Sequence, residues 1–125
     1  KIKIMKGYVF RQNNPAVVGV EVIMGTLKVG TPLMKEDGTE VTEAKSIQHE
    51  GKNINEGESG KSYALSMPNV TINRQIKEGD ILYSDIPEQH FKIYRKMKDS
   101  LKLEEIQILK EIAEIKRKTN PAWGL

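Results

Sequence analysis

Hydrophobic and polar positions follow two different patterns along this chain, and the pattern changes near Asp85. Before that residue, short runs rich in Val, Ile and Tyr are interrupted by Gly, Pro, Asn and Asp, whereas after it no glycine occurs until Gly124. Strand-like runs followed by helical spacing favour a mostly β fold: a small closed antiparallel barrel of about six short strands, then two helices. We therefore expect a β-barrel over residues 1–84 and a two-helix extension packed on it over residues 85–125.

Within the predicted barrel, residues 16–24 form the strongest strand run, and Gly19 lies inside it. A glycine within a strand usually marks a bulge or the close approach of another backbone or of a ligand. Residues 36–39 carry an Asp-Gly hairpin signal. Residues 51–60 are polar and contain three glycines, so we expect a surface loop there.

The helical part begins near Pro87, because proline suits the first turn of a helix. We expect a first helix with one apolar stripe and a second helix from about Leu103 to Lys118. The apolar residues of the second helix sweep an arc of about 180°, wider than the stripe of a little over 100° that an ordinary surface helix needs. Either the barrel and the first helix cover this arc, or part of it stays open as a groove for another protein. The candidate groove residues are Phe91, Tyr94, Leu101, Ile108, Leu109, Ile112 and Trp123. For Trp123 the simplest interpretation is an anchor that ties the tail to the body.

Composition narrows the classes of function. The net charge is only +3, from 20 basic and 17 acidic residues, so charge alone does not indicate a nucleic-acid binder. There are no cysteines, which excludes disulfides and thiolate metal sites and fits a reducing cytosol. No apolar run approaches the ~18 residues that a membrane span requires. The chain does not begin with Met, and we expect it to be a piece of a longer protein.

Few residues carry an obvious catalytic or metal-binding pattern. Gly60-Lys61-Ser62 lacks the earlier glycine of a phosphate-binding loop, and strand-like residues follow it. The two histidines, His49 and His90, have no partners at ligand spacing. We therefore expect no catalytic residue and no metal site, and a stand-alone enzyme is the least favoured of three hypotheses.

Aromatic residues make up 6% of the chain, and Tyr8, Phe10, Tyr63 and Tyr83 fall in the predicted barrel. Base stacking on these rings beside Arg11 or Arg74 would suit single-stranded RNA. The alternative is that they are ordinary core and rim residues.

Five stretches resemble one family and occur in the same order there. They are residues 11–22, RQNNPAVVGVEV; 25–33, GTLKVGTPL; 75–83, QIKEGDILY; 109–118, LKEIAEIKRK; and 120–125, NPAWGL. The first three resemble the last barrel of translation initiation factor 5B, and the last two resemble the archaeal form of its C-terminal helix and tail.

The resemblance implies domain IV of that factor, with a barrel like the second domain of elongation factor Tu. The parent protein is a GTPase that promotes ribosomal subunit joining, and GTP and magnesium would belong to its GTPase domain, absent here. The family's domain IV holds the methionylated acceptor end of initiator tRNA, and the two helices receive the C-terminal tail of initiation factor 1A. The resemblance thus implies a cytoplasmic, monomeric binding domain that works on the ribosome, away from any membrane and without a cofactor of its own.

The bacterial relative binds formylmethionine along the strands that match residues 19–22 and 62–64. Its arginine, glutamate and cysteine contacts near His49, Ser62, Val20 and Tyr63 are not retained here. The resemblance therefore transfers the location of the pocket, with different polar contacts. The candidate tRNA and methionine contacts are Arg11, Gly19, Val20, His49, Tyr63, Ala64 and Arg74, where the two arginines and the predicted loop 51–60 would position phosphates. The other hypothesis is a purely protein-docking module with no tRNA contact of its own.

Overall fold

The fold was established from a computed structural model that describes residues 1–125. It contains ten strands, two α-helices and one 3₁₀ turn. The strands are β1 (Ile2–Arg11), β2 (Ala16–Val22), β3 (Leu27–Lys28), β4 (Pro32–Lys35), β5 (Glu40–Glu43), β6 (Ser46–His49), β7 (Lys52–Ile54), β8 (Glu56–Gly57), β9 (Ser62–Met67) and β10 (Ile81–Ser84). The helices are α1 (Glu88–Lys96) and α2 (Leu103–Arg117), separated by the 3₁₀ turn Lys98–Ser100. The prediction of a mostly β fold with two helices is confirmed.

Eight strands form one curled antiparallel sheet in the order β5-β4-β10-β1-β2-β9-β6-β7. Alternation of side chains explains its central strands: Ala16, Val18, Val20 and Val22 of β2 are buried, and their odd-numbered neighbours are not, apart from Gly19. These residues belong to a core of 17 buried side chains on the inner face of the sheet. The opposite face is called the outer face below.

The sheet is open, so the prediction of a closed barrel is not confirmed. Its edge strands β5 and β7 pair with no further strand, and β3 pairs with β8 in a separate two-stranded sheet. The physical reason lies at Ala44 and Lys45, where the chain turns a corner between β5 and β6. Strand β5 pairs with β4 and β6 pairs with β9, so covalent chain joins the two sides of the sheet where a closed barrel would have a hydrogen-bonded ladder.

Segment 51–60, expected to be a loop, contains strands β7 and β8. Glu50 and Gly51 both have positive φ, 53° and 77°, as a two-residue type I′ turn requires, and they join β6 to β7 in a hairpin. The strand residues in this segment are mostly polar and exposed, so they lack the apolar alternation on which a strand prediction depends.

The two helices are attached to the sheet unequally. Ile112, Ala113 and Ile115 of α2 are buried in a second core cluster of seven residues, which includes Met34 and Tyr83 of the sheet. Helix α1 buries only Phe91. The apolar arc of α2 is therefore covered in part, because Ile106, Ile108 and Leu109 remain half-buried.

Candidate functional site

A cleft of about 430 Å³ lies on the outer face of the sheet, and we call it the outer cleft. Strands β1, β2, β6 and β9, together with the turn after β6, supply its walls. The lining residues are Met5, Tyr8, Phe10, Gly19, Gln48, His49, Glu50, Gly51, Ser62, Tyr63 and Ala64. Four of the seven sequence-predicted RNA and methionine contacts, Gly19, His49, Tyr63 and Ala64, thus lie around one concavity.

Small residues form the floor of the outer cleft. Gly19 pairs with Ala64, so two adjacent strands present little bulk at this point, and Gln48 pairs with Ala64 on the far side. Gly19 is required by β1: a Cβ there would lie 2.7 Å from the Cβ of Tyr8, closer than real Cβ contacts allow. The glycine within β2 therefore marks the close approach of another strand, one of the two meanings that the sequence left open.

Strand β1 forms one wall because its pairing with β2 is irregular. Ile4 pairs with Val20, but the next pair is Val9 with Val18, so the four residues 5–8 of β1 lie opposite the single residue Gly19 of β2. This bulge lifts Tyr8 over Gly19 and leaves its side chain 50% exposed. Bulges of this kind commonly re-aim side chains beside functional sites.

His49 and Tyr63 form the opposite wall. Their ring centroids are 5.3 Å apart with a tilt of 55°, and the His49 side chain is 44% exposed. Tyr63 is largely a core residue, only 7% exposed, and its hydroxyl accepts a hydrogen bond of 2.9 Å from the Glu58 backbone N–H. Tyr63 thus holds the His49 ring in place, and His49 presents an exposed face to the cleft.

The other three predicted contacts lie elsewhere. Val20 has no exposed surface and faces the core, so it offers no contact to a ligand on the outer face. Arg74 lines a separate charged depression of about 330 Å³ with Lys35, Lys77 and Asp80, outside the outer cleft. Arg11 ends β1 beside the cleft without lining it, and its guanidinium Nε donates to the Asn13 carbonyl at 2.9 Å.

Sequence reasoning missed Met5 and Gln48, and it mentioned Tyr8 and Phe10 without including them among the site residues. Met5 and Tyr8 lie two residues before and one residue after Gly7, which has φ of +80°. Because apolar and polar residues alternate along β1, the glycine inside this run could have predicted a bulge. Gln48 gave no signal, because an exposed glutamine in a strand is ordinary.

A second concavity, the helical groove, lies between α1 and α2 and has a volume of about 310 Å³. Its apolar lining consists of Phe91, Tyr94, Leu101, Ile106, Leu109 and Ala113. Its charged lining consists of Arg95, Lys98, Lys110, Arg117 and Glu114, which gives four cations against one carboxylate. The groove therefore combines apolar surface with positive charge, a surface suited to an acidic peptide with apolar anchors.

The predicted groove residues divide between two cavities. Phe91 lines the helical groove, and Tyr94, Leu101 and Leu109 line both it and a neighbouring cleft of about 300 Å³ between sheet and helices. Ile108 and Ile112 line only that neighbouring cleft. Trp123 lines neither, because it is 8% exposed and its ring lies against Phe91 with centroids 4.8 Å apart.

The C-terminal tail holds α1 in position beside α2. The Gly124 N–H donates to Glu88 of α1 at 3.2 Å, and Arg95 of α1 donates to the Gly124 carbonyl. From α2, Arg117 donates to the Trp123 carbonyl at 2.7 Å. The tail therefore links the two walls of the helical groove, as the anchor interpretation of Trp123 predicted.

Polar contacts fix α2 against the sheet along its whole length. At its start, Glu104 accepts hydrogen bonds from the Gly25 N–H at 3.0 Å and the Ser59 hydroxyl at 2.6 Å, which hold the pKa of this carboxyl below its usual range. At its end, Lys116 forms an ion pair with Asp85. Helix α2 is thus a fixed wall for the helical groove.

In the middle of α2, the Glu111 carboxylate accepts hydrogen bonds from Lys1 Nζ at 2.8 Å and from the Tyr83 hydroxyl at 3.1 Å. Burial raises the pKa of the Glu111 carboxyl, but hydrogen bonds from Lys1, Gln107 and Tyr83 outweigh it, so the pKa lies below its usual value. The ionised form of Glu111 is therefore the one that the fold stabilises.

The remaining motifs give no further site. Gly60 and Lys61 form the turn that enters β9, and no group of three His, Cys, Asp or Glu side chains is placed to hold a metal ion. Neither α1 nor α2 combines the length and the hydrophobicity of a membrane-spanning helix.

The curled sheet, the helical pair and the two concave surfaces define the class: a β domain with a helical extension. Comparison with known proteins identifies the family. The model of the family described as elongation factor Tu domain 4 matches residues 1–83, and the chain belongs to this family.

The relatives are archaeal translation factors. Proteins named probable translation initiation factor IF-2 from Methanopyrus kandleri and Hyperthermus butylicus are 48% and 49% identical over the full length of this chain, which spans 21% of each. The match to the crystal structure of GDP-bound aIF5B from Aeropyrum pernix covers 98% of this chain and 21% of the aIF5B chain. The TM-score is 0.91 and the sequence identity is 38%. The chain is therefore a domain of the IF-2/5B type of initiation factor, as the resemblance implied, and spans about a fifth of the relatives it matches.

Proposed function

We propose that this domain binds the methionylated acceptor end of initiator tRNA in the outer cleft, within a GTPase that promotes ribosomal subunit joining. The observation that carries the proposal is the outer cleft itself, where a floor of Gly19 and Ala64 lies between aromatic walls. An acceptor end presents an unpaired base and an amino-acid side chain, which need stacking surface and an apolar recess. A volume of about 430 Å³ is within the range of small-ligand sites.

The proposal distributes roles among the cleft residues. The methionine side chain lies on the floor beside Met5, where burying it contributes about 2 kcal/mol. His49 supplies a ring face and a nitrogen for the terminal nucleotide. No residue of the cleft performs chemistry, and GTP and magnesium belong to another domain of the factor.

The test is an NMR titration of the 125-residue chain with a methionylated acceptor minihelix. We expect shifts at Gly19, Ala64 and His49. Ala64→Leu fills the floor and should abolish these shifts, and Ser66→Leu is the matched control, because Ser66 lies two residues along β9 on the same face and outside the cleft. Shifts confined to the helices would contradict the proposal and favour the purely protein-docking module.

A second function, docking of the C-terminal tail of initiation factor 1A, is favoured by the charge of the helical groove. Four cations surround its apolar floor, so an acidic tail with apolar anchors would find complementary charge. Because Leu109 lines the groove whereas Ile108 does not, Leu109→Asp should weaken docking more than Ile108→Asp.

Charge provides the sharper control for this second function. Lys110→Glu reverses a groove cation, and Lys96→Glu makes the same change at an exposed position of α1 that does not line the groove. Calorimetric titration with the acidic tail should show a clear loss for Lys110→Glu only. Equal losses for both variants would indicate non-specific attraction and reject the groove as the docking site.

A further inference from the structure

A second irregularity in β1 brings two aromatic rings and a guanidinium to the same face of the sheet. Val9 pairs with Val18 and packs against the core, but the next pair is Arg11 with Val17, so Phe10 is an extra residue. Strict alternation would place Arg11 on the inner face with Val9. The bulge instead pairs Arg11 with Val17, an outward position of β2, so Tyr8, Phe10 and Arg11 all belong to the outer face.

The two rings are unusually accessible for large side chains on a sheet. Tyr8 is 50% exposed and Phe10 is 63% exposed, and their centroids are 6.5 Å apart in an edge-to-face arrangement. The Tyr8 atoms that lie nearest to Gly19 are Cβ and Cγ, at the base of the side chain. Both rings line the outer cleft, so the aromatic surface continues the floor toward the end of β1.

Arg11 adds positive charge at the end of this surface. Only its Nε is engaged within the chain, by the Asn13 carbonyl, which fixes the guanidinium plane and leaves both terminal amino groups free to donate. Exposed aromatic faces beside an oriented guanidinium match the chemistry of unpaired nucleotides, in which flat bases alternate with phosphates. A peptide backbone carries no such regular alternation of flat rings and negative charges.

We propose that Tyr8 and Phe10 are a stacking platform for unpaired bases of an RNA single strand, with Arg11 bound to the adjoining phosphate. The proposal rests on the proposed function of the outer cleft and extends it from the amino acid to the nucleotides that precede it. According to this proposal, the bulged end of β1 distinguishes single-stranded RNA from a duplex.

The test measures binding of the 125-residue chain to a short unacylated oligoribonucleotide that carries the fluorescent base 2-aminopurine, as a single strand and as a blunt duplex. Tyr8→Leu and Phe10→Leu keep apolar bulk but remove the ring faces, and the Cβ over Gly19 stays. Each should weaken single-strand binding about fivefold to a hundredfold, the range for loss of one stacked base. Ile93→Ala is the control, because Ile93 is a 55% exposed apolar residue of α1 that lines neither the outer cleft nor the helical groove.

Folding of each variant is verified by circular dichroism. Native affinity in the folded Tyr8→Leu and Phe10→Leu variants, or equal binding of the blunt duplex, would overturn the proposal. A minihelix with the same single-stranded end, with and without methionine, separates this proposal from the function of the cleft. If methionylation strengthens binding but the leucine variants change nothing, only the stacking platform fails. If the leucine variants weaken binding but methionylation adds nothing, only the methionine site fails.

Discussion

Gly57 is the position at which a single methyl group should disturb both the core and the outer cleft. A Cβ built on Gly57 would lie 2.7 Å from Tyr63 Cε2 and 2.9 Å from Cδ2. The Tyr63 ring has little freedom to move away, because it is 7% exposed and its hydroxyl is bound to the Glu58 N–H. Gly57 does not have positive φ, so Gly57→Ala should act through this collision and not through backbone strain.

The magnitude follows from the cost of overpacking. Separations below 3.0 Å force the ring or strand β8 to shift, and such forced shifts in packed cores cost about 1–3 kcal/mol. For a domain of this size we expect a loss of roughly 3–6 °C in melting temperature per kcal/mol. The assay is urea unfolding followed by circular dichroism, with the melting temperature as a second measurement.

A double-mutant cycle identifies the cause. In a Tyr63→Leu background the collision partner is gone, so Gly57→Ala should cost close to nothing, with a coupling of about 1–3 kcal/mol. The NMR signals of the His49 ring, which packs on Tyr63, should shift in Gly57→Ala, and those of His90 should not. An unchanged stability, or an equal cost in both backgrounds, would refute the reasoning.

The remaining predictions concern the helices and the charges around the cleft. Gly124→Ala should release α1, because Gly124 has φ of +75° and a Cβ would lie 2.7 Å from the ring it faces on α1; hydrogen exchange should accelerate in α1 while the sheet keeps its protection. Glu111→Gln should lower the free energy of unfolding near neutral pH by about 1 kcal/mol. Because the folded pKa of Glu111 is lowered, its contribution is complete above the ordinary carboxyl value of 4.5 and is lost as pH falls through the folded value, so the gap between variant and parent in urea titrations should close on acidification; a constant gap would contradict this assignment. Arg11→Ala should weaken acceptor-end binding and flatten its salt dependence more than Arg74→Ala, since only Arg11 lies beside the outer cleft; equal effects would count against that location.

The sequence predicted the parts of the fold that depend on apolar periodicity. The run from Ala16 contains β2, and the helical spacing after Asp85 locates both helices, because burial on one face selects residue types at a fixed period. Strands β7 and β8 escaped prediction because they are held by a turn and by pairing with neighbours, with little burial of their own. The corner at Ala44 escaped for a similar reason, since local sequence does not specify where a strand changes partners.

The site was predictable only where the backbone requirement was local. Gly19 and Ala64 were predicted from the resemblance, Gly19 also from its place within a strand run, and the structure pairs them. Val20 and Arg74 show the limit: a one-residue difference in register decides whether a side chain faces the core, and no local pattern reports which loop an arginine joins. Both bulges of β1 are properties of its pairing with β2, which the local sequence of β1 does not specify.

The two edge strands of the sheet, each paired on one side only, have a consequence for the behaviour of the domain at high concentration. Strand β5 offers four residues and carries Glu40 and Glu43 at its ends, whereas β7 offers three and begins with Lys52. An intruding strand from a neighbouring copy would gain few backbone hydrogen bonds at either margin and would have to bury charge to gain them. The domain is therefore protected against fibril growth although its ladder is incomplete, and lengthening β7 with apolar residues should remove that protection.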